Sequence, residues 1–167
     1  MNAPSGRSVF LAMIPIHLLL LVWVWIGRFV FGNGGWMTLV LLVTVIPVVA
    51  LALAITTLLC FLRRPAPRAL TSSQVRAQLV TWAGLFVVGL TMVDFTDSPD
   101  SEQTLLTQVF GRSDAMFTLS AVLIGVGTLT AIGGWVWLLL RLLGDQTRRS
   151  AAPGHHLAGP PASTGLR

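Results

Sequence analysis

Chemistry in this chain has few candidate side chains, and the most conspicuous is His17. It lies about midway along the apolar run from Val9 to Ile26, two residues after Pro15. An imidazole surrounded by hydrocarbon can relay a proton, contact a ligand or ligate a haem, and ionisable groups inside a membrane are candidate functional groups by default. Pro15 offers a plainer reading. A proline within a helix frees the carbonyl four residues back, here Leu11, and a nearby polar side chain can re-satisfy the broken bonding. His17 is therefore expected to face the interior of a helix bundle beside a kink. Haem ligation by two histidines would need a second chain, and no cofactor is expected.

Two further polar residues could share a path with His17. Eleven residues make just over three helical turns, so Phe10, His17, Leu21, Val24 and Arg28 fall on one helix face, and Asp94 closes a later apolar run. Pro47, midway along another apolar run, marks a second kink, with Val43 losing its bonding partner. Asp97, Asp100 and Glu102 cluster in a polar stretch without the glycine and terminal glutamate of a calcium loop, and first-turn acids on a helix dipole account for them. No metal is expected. Cys60 is the single cysteine, so intrachain disulfides and CxxC chemistry are excluded.

The sequence has no HExxH pair, no glycine-rich phosphate loop, and no serine or cysteine nucleophile with a base in its loops. No carboxylate sits in the middle of an apolar run, where proton-coupled carriers commonly place one. The expectation is a protein that is not an enzyme.

The elements that carry these residues follow from composition. Of 167 residues, 54% are hydrophobic and 10% charged, and the mean hydropathy is +0.79, well outside the range of a water-solvated domain. All 11 basic side chains are arginine, and the net charge is +5. These arginines flank apolar runs instead of forming a basic stripe with interleaved aromatics, so they read as membrane-orienting charges and no nucleic-acid partner is expected. Arginine without lysine, beside abundant alanine, glycine and leucine, is what a GC-rich genome tends to write, which hints at a bacterial source.

The reading is an all-α integral membrane protein, with four transmembrane helices in an up-down bundle and a short interfacial helix in the second extracytoplasmic loop. Residues 1–8 form a cytoplasmic N-terminus, residues 9–143 the transmembrane domain, and residues 144–167 a disordered cytoplasmic tail rich in Pro, Gly, Ala and Ser. The spans are placed at about 9–27, 37–62, 76–95 and 115–143. The first is too long for a signal-peptide core and lacks a cleavage site, so it stays as a span. A glycine-rich turn follows, with Phe29, Phe31 and Trp36 at belt depth. Arg63, Arg64, Pro65, Pro67 and Arg68 stop the second span.

Thr71 and Gln74 spell a capping box, with Leu70 and Val75 as its hydrophobic staple. Ser98, Pro99, Asp100, Glu102 and Gly111 bracket a short helix whose apolar face is Leu105, Leu106, Val109 and Phe110. Such a helix lies in the interface or caps the bundle. Arginines near span ends number eight on one side (Arg7, Arg63, Arg64, Arg68, Arg76, Arg141, Arg148, Arg149) and two on the other (Arg28, Arg112). Both termini are accordingly expected in the cytoplasm, in a multi-pass protein of the bacterial cell membrane.

Ala121, Gly125, Gly127, Ala131 and Gly134 form a small-residue contact face on the fourth span, suited to close helix approach within the chain, in a homodimer or with another subunit. Trp23 with Trp25, and Trp135 with Trp137, read as aromatic belts. The expected role is a non-catalytic accessory or scaffolding subunit of a membrane complex, whose partners are the lipid bilayer and other membrane subunits or a second copy. The alternative is a small transporter or channel with a path near His17, Pro47 and Asp94.

Overall fold

The computed structural model describes residues 4–27, 29, 36–62, 69–92 and 105–150. Its helices are α1 (Pro4–Ile26), α2 (Met37–Val43), α3 (Val45–Leu62), α4 (Ser72–Thr91), α5 (Leu105–Phe110) and α6 (Asp114–Ser150), with no strand among the described residues. Three segments, Gly6–Ile26, Thr38–Leu62 and Asp114–Gly144, are long and apolar enough to cross a membrane. The protein is all-helical and has transmembrane character.

Polarity is distributed in a way that explains the packing. The three apolar segments expose large side chains such as Leu11, Leu51 and Leu129. By contrast α4, which carries Gln74, Gln78 and Thr81, buries all three. It packs most extensively on α6 and next on α1, so its glutamines and Thr81 are covered by neighbouring helices while Leu79 and Phe86 stay exposed. Polar groups in hydrocarbon are costly unless they are satisfied, and enclosure by neighbouring helices is how a bundle satisfies them.

Local sequence sets each helix end. Pro4 begins α1, five residues before the expected span start at residue 9; proline is favoured in a first turn because its missing N–H has no intrahelical partner there. The amide of Leu70 donates to the Gly6 carbonyl at 3.2 Å, tying the start of α1 to the approach to α4. A side chain at Gly6 would run into the Leu70 backbone, so glycine is required for that contact. Pro15 lies inside α1 without ending it.

The second apolar segment does break, where Pro47 places the break. The carbonyl of Val43 ends α2, Thr44 interrupts the helix, and α3 resumes at Val45. The Thr44 hydroxyl donates to the Val40 carbonyl at 2.6 Å, a back-bond of the kind that bends helices.

At α4 the capping box is formed, and the Thr71 amide donates to Gln74 Oε1 at 3.1 Å. Leu70 is buried in the core, and Val75 packs against that core. Thr71→Ala is expected to cost about 1 kcal/mol, the usual worth of an N-cap, measured by thermal unfolding in detergent.

Gly111, at φ +90°, ends α5 in the left-handed conformation that glycine adopts without strain. Ser113 then accepts the Met116 amide through its hydroxyl (3.3 Å) and its carbonyl (3.0 Å), starting α6 at Asp114.

The far end of α6 departs from the expected tail. The helix continues past residue 143 and through Gly144 to Ser150. Gln146, Arg148 and Arg149 are good helix formers, and one glycine costs only about 1 kcal/mol within a helix, so loss of apolarity does not end it. α4 begins at Ser72, directly after the expected Thr71 cap, and its helix ends at Thr91. Residues 93–95 lie outside those described.

Candidate functional site

Two constellations stand out, a buried polar knot around His17 and a close crossing of α4 with α6. The inward face expected of α1 is observed: Phe10, His17 and Val24 are buried, and Leu21 is partly buried. His17 is 5% exposed and uses both ring nitrogens. Its Nε2 lies 2.9 Å from Gln78 Nε2 on α4. An amide NH2 only donates, so the ring nitrogen accepts. In the neutral imidazole Nδ1 then carries the proton and donates to Thr57 Oγ1 on α3 at 3.0 Å. The Thr57 hydroxyl passes the chain on to the Leu53 carbonyl at 2.8 Å.

One histidine thus ties three helices together, with each of its ring nitrogens paired. The edge of the Trp82 ring closes against it, with centroids 6.0 Å apart and planes at 80°. Gln78 Oε1 and Trp82 Nε1 are buried there without a hydrogen-bond partner among the described residues.

The crossing is built from backbone contact. A Cβ placed on Gly84 would fall 2.7 Å from the Gly127 carbonyl oxygen and 2.8 Å from Ala131 Cα. One on Gly134 would lie 2.8 Å from the Thr81 amide nitrogen. Only missing side chains permit this approach, the device that small residues supply in membrane helices.

The five small residues expected to share a face are therefore divided. Gly127, Ala131 and Gly134 meet α4, whereas Ala121 and Gly125 point outward, and a Cβ on Gly125 would meet nothing within 4 Å. The reason is angular. Each residue turns the helix by about 100°, so Gly125, two residues before Gly127, lies about 200° away from it, and Ala121 with Gly125 falls on the side opposite Gly127, Ala131 and Gly134.

The tryptophan pairs also divide. Trp23 Nε1 donates to the Phe86 carbonyl at 3.1 Å while its ring stacks on Phe86 (5.3 Å, 9°) and covers Gly89. Trp135 Nε1 donates to the Ala52 carbonyl at 2.9 Å. A helical carbonyl keeps a second lone pair after its intrahelical bond, and these indoles use it to link α1 to α4 and α6 to α3. Belt residues need only the membrane interface, whereas these two are interhelical links.

Arg28 and Asp94 lie outside the described residues, as do Asp97, Asp100 and Glu102. Pro47 is exposed on α3. Sequence reasoning passed over Gln78, Thr57 and Trp82. A signal was available for α4, because Gln74, Gln78, Thr81 and Leu85 recur at helical spacing and polar residues repeating with that period mark an inward face. No known protein family, curated protein or solved structure matches this chain.

Proposed function

We propose that the chain is a four-span, multi-pass protein of a bacterial cytoplasmic membrane, with both termini in the cytoplasm, acting as a non-catalytic accessory or scaffolding subunit. The observation that carries this reading is the commitment of His17. With both ring nitrogens held by Thr57 and Gln78, it works as a tie between helices, the task of a structural histidine. The twenty residues of α4 reach about 30 Å, enough for hydrocarbon, and its packing against α1 and α6 supports its place as the third span. Val109 and Phe110 are exposed on α5, as suits a short helix resting in the headgroup boundary.

Association would use outward surfaces, and the α6 face around Gly125 is free of intrachain contact. The test is gentle extraction of the tagged chain at native abundance, followed by mass spectrometry of what co-purifies. A stoichiometric membrane partner that survives His17→Ala is the expected result, and a chain recovered alone would count against the reading. The transporter or channel alternative draws on the helix break at Thr44 beside Pro47. It predicts flux in reconstituted vesicles that His17→Ala abolishes.

A further inference from the structure

Between α1, α3, α4 and α6 lies a cavity of about 330 Å³, within the range of roughly 300–1,000 Å³ typical of small-molecule sites. Its inner wall is made by Val24, Leu53, Thr81, Leu85 and Ala131, all buried. Its rim carries Val48 and Ile132, which are 67% and 54% exposed. It is thus a side pocket, closed behind and open between α3 and α6.

Of the three polar side chains in the lining, Thr128 is exposed and the other two are already hydrogen-bonded. The Thr81 hydroxyl donates to the Ala77 carbonyl at 3.0 Å, and the Trp135 indole to Ala52. Val45 and Val48 of the lining stand in the first turn of α3, just after the interruption at Thr44. Valine and alanine leave the wall unfilled.

We propose that this pocket holds one acyl chain of a bilayer phospholipid, entering sideways between α3 and α6. This inference rests on the membrane reading of the chain. The rim residues belong to the two apolar segments whose outer faces are exposed on either side of the opening, as at Leu51 and Leu129, so the pocket is continuous with the lipid-facing surface. A wall built almost wholly of apolar side chains, with Thr128 at its exposed side, selects a hydrocarbon chain and leaves the headgroup outside. An apolar void beside fluid hydrocarbon forfeits dispersion contacts that a chain restores.

The test is photolabelling of the full chain in phosphatidylethanolamine and phosphatidylglycerol vesicles that contain a phospholipid with a diazirine near the acyl terminus. The labelled residues are then mapped by mass spectrometry. Label is expected on the wall residues Leu53, Leu85 and Ala131, as well as on the exposed Leu51 and Leu129. Val48→Trp and Ile132→Trp block the rim without touching the buried wall. Each is expected to cut wall labelling about tenfold, the effect of excluding roughly two methylenes, while labelling of Leu129 persists. Leu51→Trp, equally exposed but off the rim, should leave wall labelling unchanged.

Label confined to exposed residues overturns the pocket while sustaining the membrane reading. Absence of label from α1, α3 and α6 alike overturns both. Wall labelling that survives both rim variants overturns the side entry, and an isoprenoid retained through purification that shields the wall from label overturns the assignment to a phospholipid.

Discussion

Gly84→Leu is expected to separate α4 from α6 and to destabilise the protein by about 3 kcal/mol, the upper range for overpacking. At this position the obstacles are the Gly127 carbonyl and the Ala131 backbone, and no flexible side-chain end is available to move aside. Relief requires the helices to part along the longest packed interface in the molecule. The measurement is thermal unfolding in mild detergent, read by circular dichroism and by protease sensitivity.

Gly125→Leu provides the contrast. It lies on the same helix with nothing within 4 Å, so it should leave stability unchanged or slightly raised by better helix propensity. Equal loss in the two variants would show that α6 does not cross α4 in this register. The same pair separates folding from association. Gly127→Leu would strike Gly84, Val87 and Val88 within the chain, so only substitutions at Ala121 or Gly125 probe an outside partner.

The second large effect concerns the knot at His17. His17→Phe strands the Gln78 amide in the core, and Gln78→Leu leaves His17 Nε2 with no donor. A buried group left without its partner costs about 1–3 kcal/mol, whereas replacing both members by apolar groups is nearly neutral. Each single variant is therefore expected to lose about 1–2 kcal/mol, toward the lower half of that range because hydrogen bonds between membrane helices are modest. The double variant should be more stable than the two losses summed, with a coupling of about 1 kcal/mol. Strict additivity in the unfolding free energies would mean that the two side chains do not bond.

Caps and breaks carried by a specific residue were the most legible part of the sequence, because they depend on nearest neighbours, whereas the start of α1 and the end of α6 lay several residues from where apolarity alone places them. Thr71 with Gln74, Gly111 and Pro47 each act within one turn, and each operates where its residue type requires. His17 could be assigned to the interior for a similar reason, since periodicity along α1 fixes its face. Its partners could not be read. Thr57 and Gln78 are 40 and 61 residues away, and which of several polar residues meets a given histidine depends on how helices rotate against one another.

The small-residue stripe shows the same limit from the other side. Spacing identified glycines able to support a close approach, but only Gly84 on α4 determines that Gly127 and Ala131 are the ones used. Trp23 and Trp135 were read as belts because interface preference is a property of the single residue, while their bonds to Phe86 and Ala52 are properties of a pair.

Enclosure of α4 also bears on how the chain is made. Synthesis delivers α1 and α3 before α4, so Gln78 finds His17 already in place when it leaves the ribosome. The other flank, at Gly84 and Thr81, has no cover until α6 emerges as the last of the long helices. A nascent chain stopped before Asp114 would hold α4 with Gly84 and Thr81 uncovered on the side that α6 packs. Among the described helices, α6 is thus the one whose arrival covers the Gly84 and Thr81 flank and completes the packing of α4.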